Sequence, residues 1–154
     1  MISRILLAVF GAFALVACNP IENLDQSEAR ITQFENAYSA EDVDALWRLS
    51  SEDLREVTPR EEFEDFVTVF ISRLGAIKSS SRASFNVNSN NGVTSTVIVM
   101  DTEFELGEGT QTYTFHGNGE DMKLVGWFVN SPRLMVTVDD LGADEGEPVE
   151  VPGN

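Results

Sequence analysis

The chain has 154 residues, 42% of them hydrophobic, a formal net charge of −16 at pH 7, one histidine and one cysteine. Lys78 and Lys123 are the only lysines, so the basic surface that neutralises phosphates is missing and nucleic-acid binding is excluded. A single cysteine cannot build a disulfide framework within the chain, and one histidine among scattered acids gives no metal-ligand spacing.

Met1-Ile2-Ser3-Arg4 carries one positive charge, and Ile5 to Ala17 is an unbroken run of apolar and small residues. This is the layout of a secretory signal. A spanning helix needs about 20 apolar residues, and the run stops short at Cys18-Asn19-Pro20. Leu15-Val16-Ala17-Cys18 resembles the lipobox of bacterial lipoproteins, in which small residues precede a cysteine that receives diacylglycerol. That resemblance implies cleavage before Cys18 and attachment to the membrane through acyl groups on its thiol. Loss of residues 1–17 removes Arg4 and no acid, which takes the formal charge from −16 to −17. An anionic lipid surface repels such a domain, so attachment rests on the acyl chains. Asn19 stands where an aspartate would resemble an inner-membrane retention signal, so the expected location is the periplasmic side of the cell envelope, at the outer membrane.

Residues 18–23 are expected to form a lipidated tether reaching about 20 Å when extended. Leu24, Ile31, Phe34 and Tyr38 then follow helical spacing, with Asn23 as N-cap and Gln26 as its capping-box partner. Ser39-Ala40-Glu41-Asp42 predicts a second helix start, followed by the stripe Val43, Leu46 and Trp47. Thr58-Pro59-Arg60-Glu61 predicts a third, with Thr58 as N-cap and Pro59 at the first helical position. Phe63, Phe66, Val67, Phe70 and Leu74 line one face of that helix, and Gly75 ends it.

From about Ser81 the period changes to alternation. Phe85 and Val87 lead to the turn Asn90-Asn91-Gly92. A long strand from Val93 to Leu106 follows, then a turn at Gly107-Glu108-Gly109, a strand over Thr110 to His116, a turn at Gly117-Asn118-Gly119, and a strand over Met122 to Asn130. Three such turns predict a four-stranded antiparallel meander. Leu134-Met135-Val136 is a candidate edge strand. Residues 139–154 are acidic and lack aromatics, which predicts a disordered tail. The expected organisation is a signal peptide over 1–17, the tether, an α+β domain over 24–138 and the tail. In that domain the helices cover one face of the sheet, the aromatic stripe of the third helix being the natural cover.

Ile71-Ser72-Arg73-Leu74-Gly75-Ala76-Ile77-Lys78-Ser79 and Met122-Lys123-Leu124-Val125-Gly126-Trp127-Phe128-Val129 resemble the helix end and the last strand of small exported bacterial domains of the nuclear-transport-factor-2-like superfamily. The resemblance covers about Phe63 to Val129. It departs from the pattern where Met122 or Lys123 replaces a tryptophan and Trp127 replaces a tyrosine. It implies a curved sheet wrapping a helix as a cone, on a superfamily that hosts enzymes, transport adaptors and scaffolds alike.

Enzymes of that superfamily often use a histidine or aspartate inside the cone, which makes Asp101 and His116 the catalytic candidates. His116 shares its strand face with Thr112 and Thr114, and Asp101 shares one with Val97, Val99 and Glu103. The alternation therefore favours solvated positions for both, unless a bulge turns Asp101 inward and raises its pKa. Phe66, Phe70 and Trp127 are candidate lining for an apolar pocket, and Arg73 with Arg82 brackets the helix-to-sheet turn. No glycine-rich loop joins a strand to a helix, and no serine motif accompanies the histidine. No cofactor is expected. The expectation is a lipid-anchored, non-catalytic binding or scaffold domain whose partner is an envelope protein or a small apolar ligand. A small lyase or isomerase is the alternative.

Overall fold

The computed structural model describes residues 20–135. Cys18, the signal segment and the acidic segment 139–154 lie outside the described residues. Helix α1 spans Pro20–Ser39, α2 Val43–Leu49, α3 Glu52–Val57 and α4 Arg60–Leu74. Strands β1 (Ile77–Asn90), β2 (Val93–Phe104), β3 (Gly107–His116) and β4 (Lys123–Asn130) follow, with short 3-10 turns at Gly119–Asp121 and Pro132–Leu134. The strands form one antiparallel sheet in the order β1-β2-β3-β4. The domain is α+β, with helices packed on a curved four-stranded meander.

Helix α1 starts earlier than its apolar spacing suggested. Its buried stripe begins with polar residues, Asn23 and Ser27, and runs on through Ile31, Phe34 and Tyr38. Asn23 is therefore inside the helix and is not its cap. Its amide donates to Asn118 Oδ1 at 2.7 Å, while the Ser27 hydroxyl donates to the Asn23 carbonyl at 2.7 Å and lies 3.2 Å from Met122 Sδ. Residues 20–23 of the expected tether thus belong to the first turn of α1.

Asp42 caps α2 by accepting from the Ala45 amide at 2.8 Å, and Ser51 caps α3 by accepting from the Leu54 amide at 3.0 Å. The short α3 has no buried residue, which is why no apolar stripe announced it. Helix α4 begins one residue later than expected: Pro59 occupies the cap position and no side chain caps the helix. Gly75 closes α4 with φ of 72°, a left-handed value, and a Cβ there would lie 2.8 Å from Glu105 Cβ.

The turn between β2 and β3 is two residues long, Glu105-Leu106, since Phe104 pairs with Gly107. Gly107 and Gly109 are strand residues. A Cβ on Gly109 would meet the Asn130 carbonyl oxygen at 2.7 Å, and one on Gly107 would meet Arg133 Cγ at 2.9 Å. These glycines let the chain pass close by, a role that sequence alone does not separate from turn making. Asn91 and Gly92, with φ of 51° and 81°, form the expected tight turn between β1 and β2. Leu134 lies in the 3-10 turn and no strand forms at Leu134 or Met135; Val136 lies outside the described residues.

Helix α1, more than α4, covers the sheet. Phe34 meets Tyr113 and Trp127 edge-on, and Tyr38 does the same to Phe104 and Trp127. Helix α4 reaches the sheet through Phe70 against Trp127 and reaches α2 through Phe63 against Trp47. The junction of α2 and α3 covers the free edge of β4, where the Ser51 amide donates to the Leu124 carbonyl at 2.8 Å.

Candidate functional site

The inner face of β3 presents Gln111, Tyr113 and Phe115, each almost fully buried. A glutamine in a buried apolar row costs free energy unless all of its hydrogen-bonding groups are met. Here they are. Trp127 Nε1 is 3.0 Å and the Tyr113 hydroxyl 2.9 Å from Gln111 Oε1, while Gln111 Nε2 is 3.0 Å from Thr102 Oγ1 and 3.2 Å from Glu35 Oε1. An indole N–H only donates, so the oxygen of Gln111 must face Trp127. Its two amide hydrogens then point at Thr102 and Glu35, which must accept. One side chain thereby joins α1, β2, β3 and β4.

Glu35 reaches this hub from the sheet side of α1. Burial pushes its carboxyl above the ordinary value of 4.5, opposed by hydrogen bonds from Ser80, Tyr113 and Gln111. Burial raises the Tyr113 phenol well above its usual range, and the negative charge of Glu35 adds to this. Burial likewise raises Tyr38, with Glu41 as a lesser cause. The Tyr38 hydroxyl and Thr96 Oγ1 are buried without a protein partner. Chemically, the cluster offers one shielded carboxyl beside the Tyr113 phenol, which stays protonated.

The candidates drawn from the sequence fall elsewhere. Asp101 pairs regularly with Ser81 and Thr110. The bulges of the sheet fall in β1, at Lys78 and Ala83, and in β4, at Val125. None displaces Asp101, which stays exposed on the outer face. His116 is exposed at the end of β3. Phe66 is 53% exposed. Phe70 and Trp127 meet each other with ring centroids 5.4 Å apart. The structure does not bring Asp101, His116 or Phe66 together with the hub. Arg82 pairs with Glu28 and lies over the Phe85 ring, and Arg73 sits in the last turn of α4.

Two concavities among the described residues can be compared with these candidates. One, of about 970 Å³, is open and lies over the outer sheet face beside Ser81, Asp101, Glu103, Glu108, Asn130 and Arg133. The other, about 10 Å³ between Arg30, Phe34, Leu49, Phe115 and Leu124, is too small for any ligand. Neither is lined by Glu35, Phe66, Phe70 or Trp127. No group of three histidines, cysteines or acids among the described residues is placed to hold a metal, and no described helix is long and apolar enough to cross a membrane.

The hub was legible only as an anomaly. Gln111 shares the alternation phase of Tyr113 and Phe115, and Thr102 that of Ile98, Met100 and Phe104. Polar residues in an apolar phase point to a buried network. Glu35 leaves no such mark, because its neighbour Phe34 dominates the stripe.

No family model matches the chain, and no curated protein matches it. Among solved structures, that of Bdellovibrio bacteriovorus Bd1075 is similar over 71% of this chain at 14% identity, with a TM-score of 0.45. The match covers 41% of the Bdellovibrio chain, so this chain spans less than half of that protein's length.

Proposed function

We propose that the chain is a lipid-anchored protein of the cell envelope whose α+β domain is a non-catalytic binding or scaffold module facing the periplasm. The observation that carries this is Leu15-Val16-Ala17-Cys18 at the end of an apolar leader. Helix α1 begins at Pro20, which supports a short link to the anchor and a domain held near its membrane. The ring contacts that fill the inner face favour a protein partner over a small apolar ligand. The open concavity above the outer face is the larger surface for one. The nuclear-transport-factor-2-like assignment belongs to this proposal, supported by helices laid on a curved antiparallel meander. The alternative of a lyase or isomerase draws on Glu35, a carboxyl inside the fold. It is disfavoured because neither concavity reaches that residue.

Mass spectrometry of the protein purified from membranes tests the anchor. The expected N-terminal peptide begins at an acylated Cys18, and Cys18→Ser should move the protein to the soluble fraction. An unmodified chain retaining residues 1–17 overturns the reading. A pull-down from detergent-solubilised envelope tests the partner, and recovery of this protein alone would count against one.

A further inference from the structure

The sequence contains two Asn-Gly pairs, Asn91-Gly92 and Asn118-Gly119, and the fold treats them oppositely. Asn91 and Gly92 are exposed at the tip of the β1–β2 hairpin. Neither the Asn91 side chain nor the Gly92 amide bonds another described residue. A Cβ on Gly92 would meet nothing within 4 Å. Asn118 is held at both ends: its Oδ1 accepts from Asn23 Nδ2 at 2.7 Å, and its Nδ2 donates to Thr94 Oγ1 at 3.2 Å.

We infer that Asn91 is a site of spontaneous deamidation in the folded protein and that Asn118 is protected from it. The Gly92 backbone nitrogen, losing its proton to base, forms a bond to Asn91 Cγ. The Cγ–Nδ2 bond breaks and the nitrogen leaves as ammonia. Water then opens the resulting five-membered imide at either carbonyl, giving aspartate or isoaspartate at position 91. The reaction is intramolecular, so its rate depends on how freely the side-chain amide approaches the next nitrogen. Glycine places no Cβ in that path. At Asn91 no bond within the protein must break first. At Asn118 two must. The product adds one negative charge to the tip, and the isoaspartate form lengthens the main chain by one methylene within a two-residue turn that sets strand register.

The test ages the intact purified protein at mildly alkaline pH and maps its chymotryptic peptides, digested under mildly acidic conditions to suppress further reaction. The expected result is a gain of one mass unit in the Asn91 peptide, split into two isomers. It should outpace the same change at Asn118 by roughly tenfold, the factor set by the two bonds that hold Asn118. The rate should rise with pH. In urea both sites should react at similar rates. Equal rates in the folded protein, faster reaction at Asn118, or an unreactive Asn91 in a folded chain whose unfolded form deamidates would each overturn the inference.

Discussion

The two faces of one sheet obey opposite rules. On the inner face, β2 buries Thr94, Thr96, Ile98, Met100, Thr102 and Phe104 in strict alternation, and β3 buries Gln111, Tyr113 and Phe115. On the outer face, Ser84, Val99, Thr112 and Phe128 lie across the four strands as one row, and Ser81, Asp101, Thr110 and Asn130 as the next. No described helix covers that side. Polar groups outside can turn to water, whereas those inside depend on each other, and among the described residues Thr96 Oγ1 and the Tyr38 hydroxyl are left without a protein partner. The difference teaches where function and where stability are to be sought. A buried polar residue such as Gln111 is held by four partners in one geometry, while an exposed acid such as Asp101 is free of any.

The sharpest break in that comparison is Gln111→Leu. The substitution keeps the volume but leaves the Trp127 indole N–H without its acceptor, while the Tyr113 hydroxyl turns to Glu35 alone. Leaving a buried donor unpaired costs about 1–3 kcal/mol, and a loss of that size is expected in urea unfolding. A cycle with Trp127→Phe sharpens it. If the indole bond matters, Gln111→Leu should cost less in the Trp127→Phe background, and strict additivity would show that the hub is a set of independent contacts.

Glu35→Gln tests the same network through pH and has a smaller effect. Burial raises the Glu35 carboxyl, so near that pKa the folded state binds more protons than the unfolded chain, and stability falls as pH rises. The penalty of holding the charged form is complete above the raised pKa and is gone below the ordinary 4.5. Glu35→Gln should therefore melt higher than the native protein at neutral pH, and this advantage should shrink as pH falls toward 4.5. The difference between the two proteins cancels the repulsion among the many other acids. A gap that stays constant from pH 7 to pH 4 would mean that Glu35 is solvated.

Alternation and turn chemistry made most of the sheet legible beforehand, because a one-residue slip would expose every residue of the inner row. The helix caps were less so. Thr58 and Asn23 have the right chemistry for capping, yet Asn23 is drawn into α1 by Asn118, 95 residues away. Local preference yields there to a tertiary bond. The β2–β3 turn was misplaced for a related reason: Gly107 and Gly109 answer to Arg133 and Asn130, which no local pattern reveals. The buried cluster was the least legible, although alternation did favour the exposed positions that Asp101 and His116 occupy. Histidine and aspartate stand out by chemical type, while the carboxyl that the fold buries is Glu35, whose partners Ser80, Gln111 and Tyr113 come from two separate strands.

The smallest effects should come from the outer face. Asp101→Asn removes one charge from a surface that also carries Glu103 and Glu108, and His116→Asn changes an exposed strand end. Each should shift unfolding free energy by no more than about 0.5 kcal/mol, with Asp101→Asn on the stabilising side because it relieves like-charge repulsion. Raising the salt concentration should erase that gain, since exposed charges are screened. A loss well beyond this range in the isolated domain would mean that the outer face is covered in the native molecule, and the contrast between the two faces would no longer hold. If the loss appears only in the membrane-anchored protein, the covering group lies in the envelope, and the concavity beside Asp101 is where it should be sought.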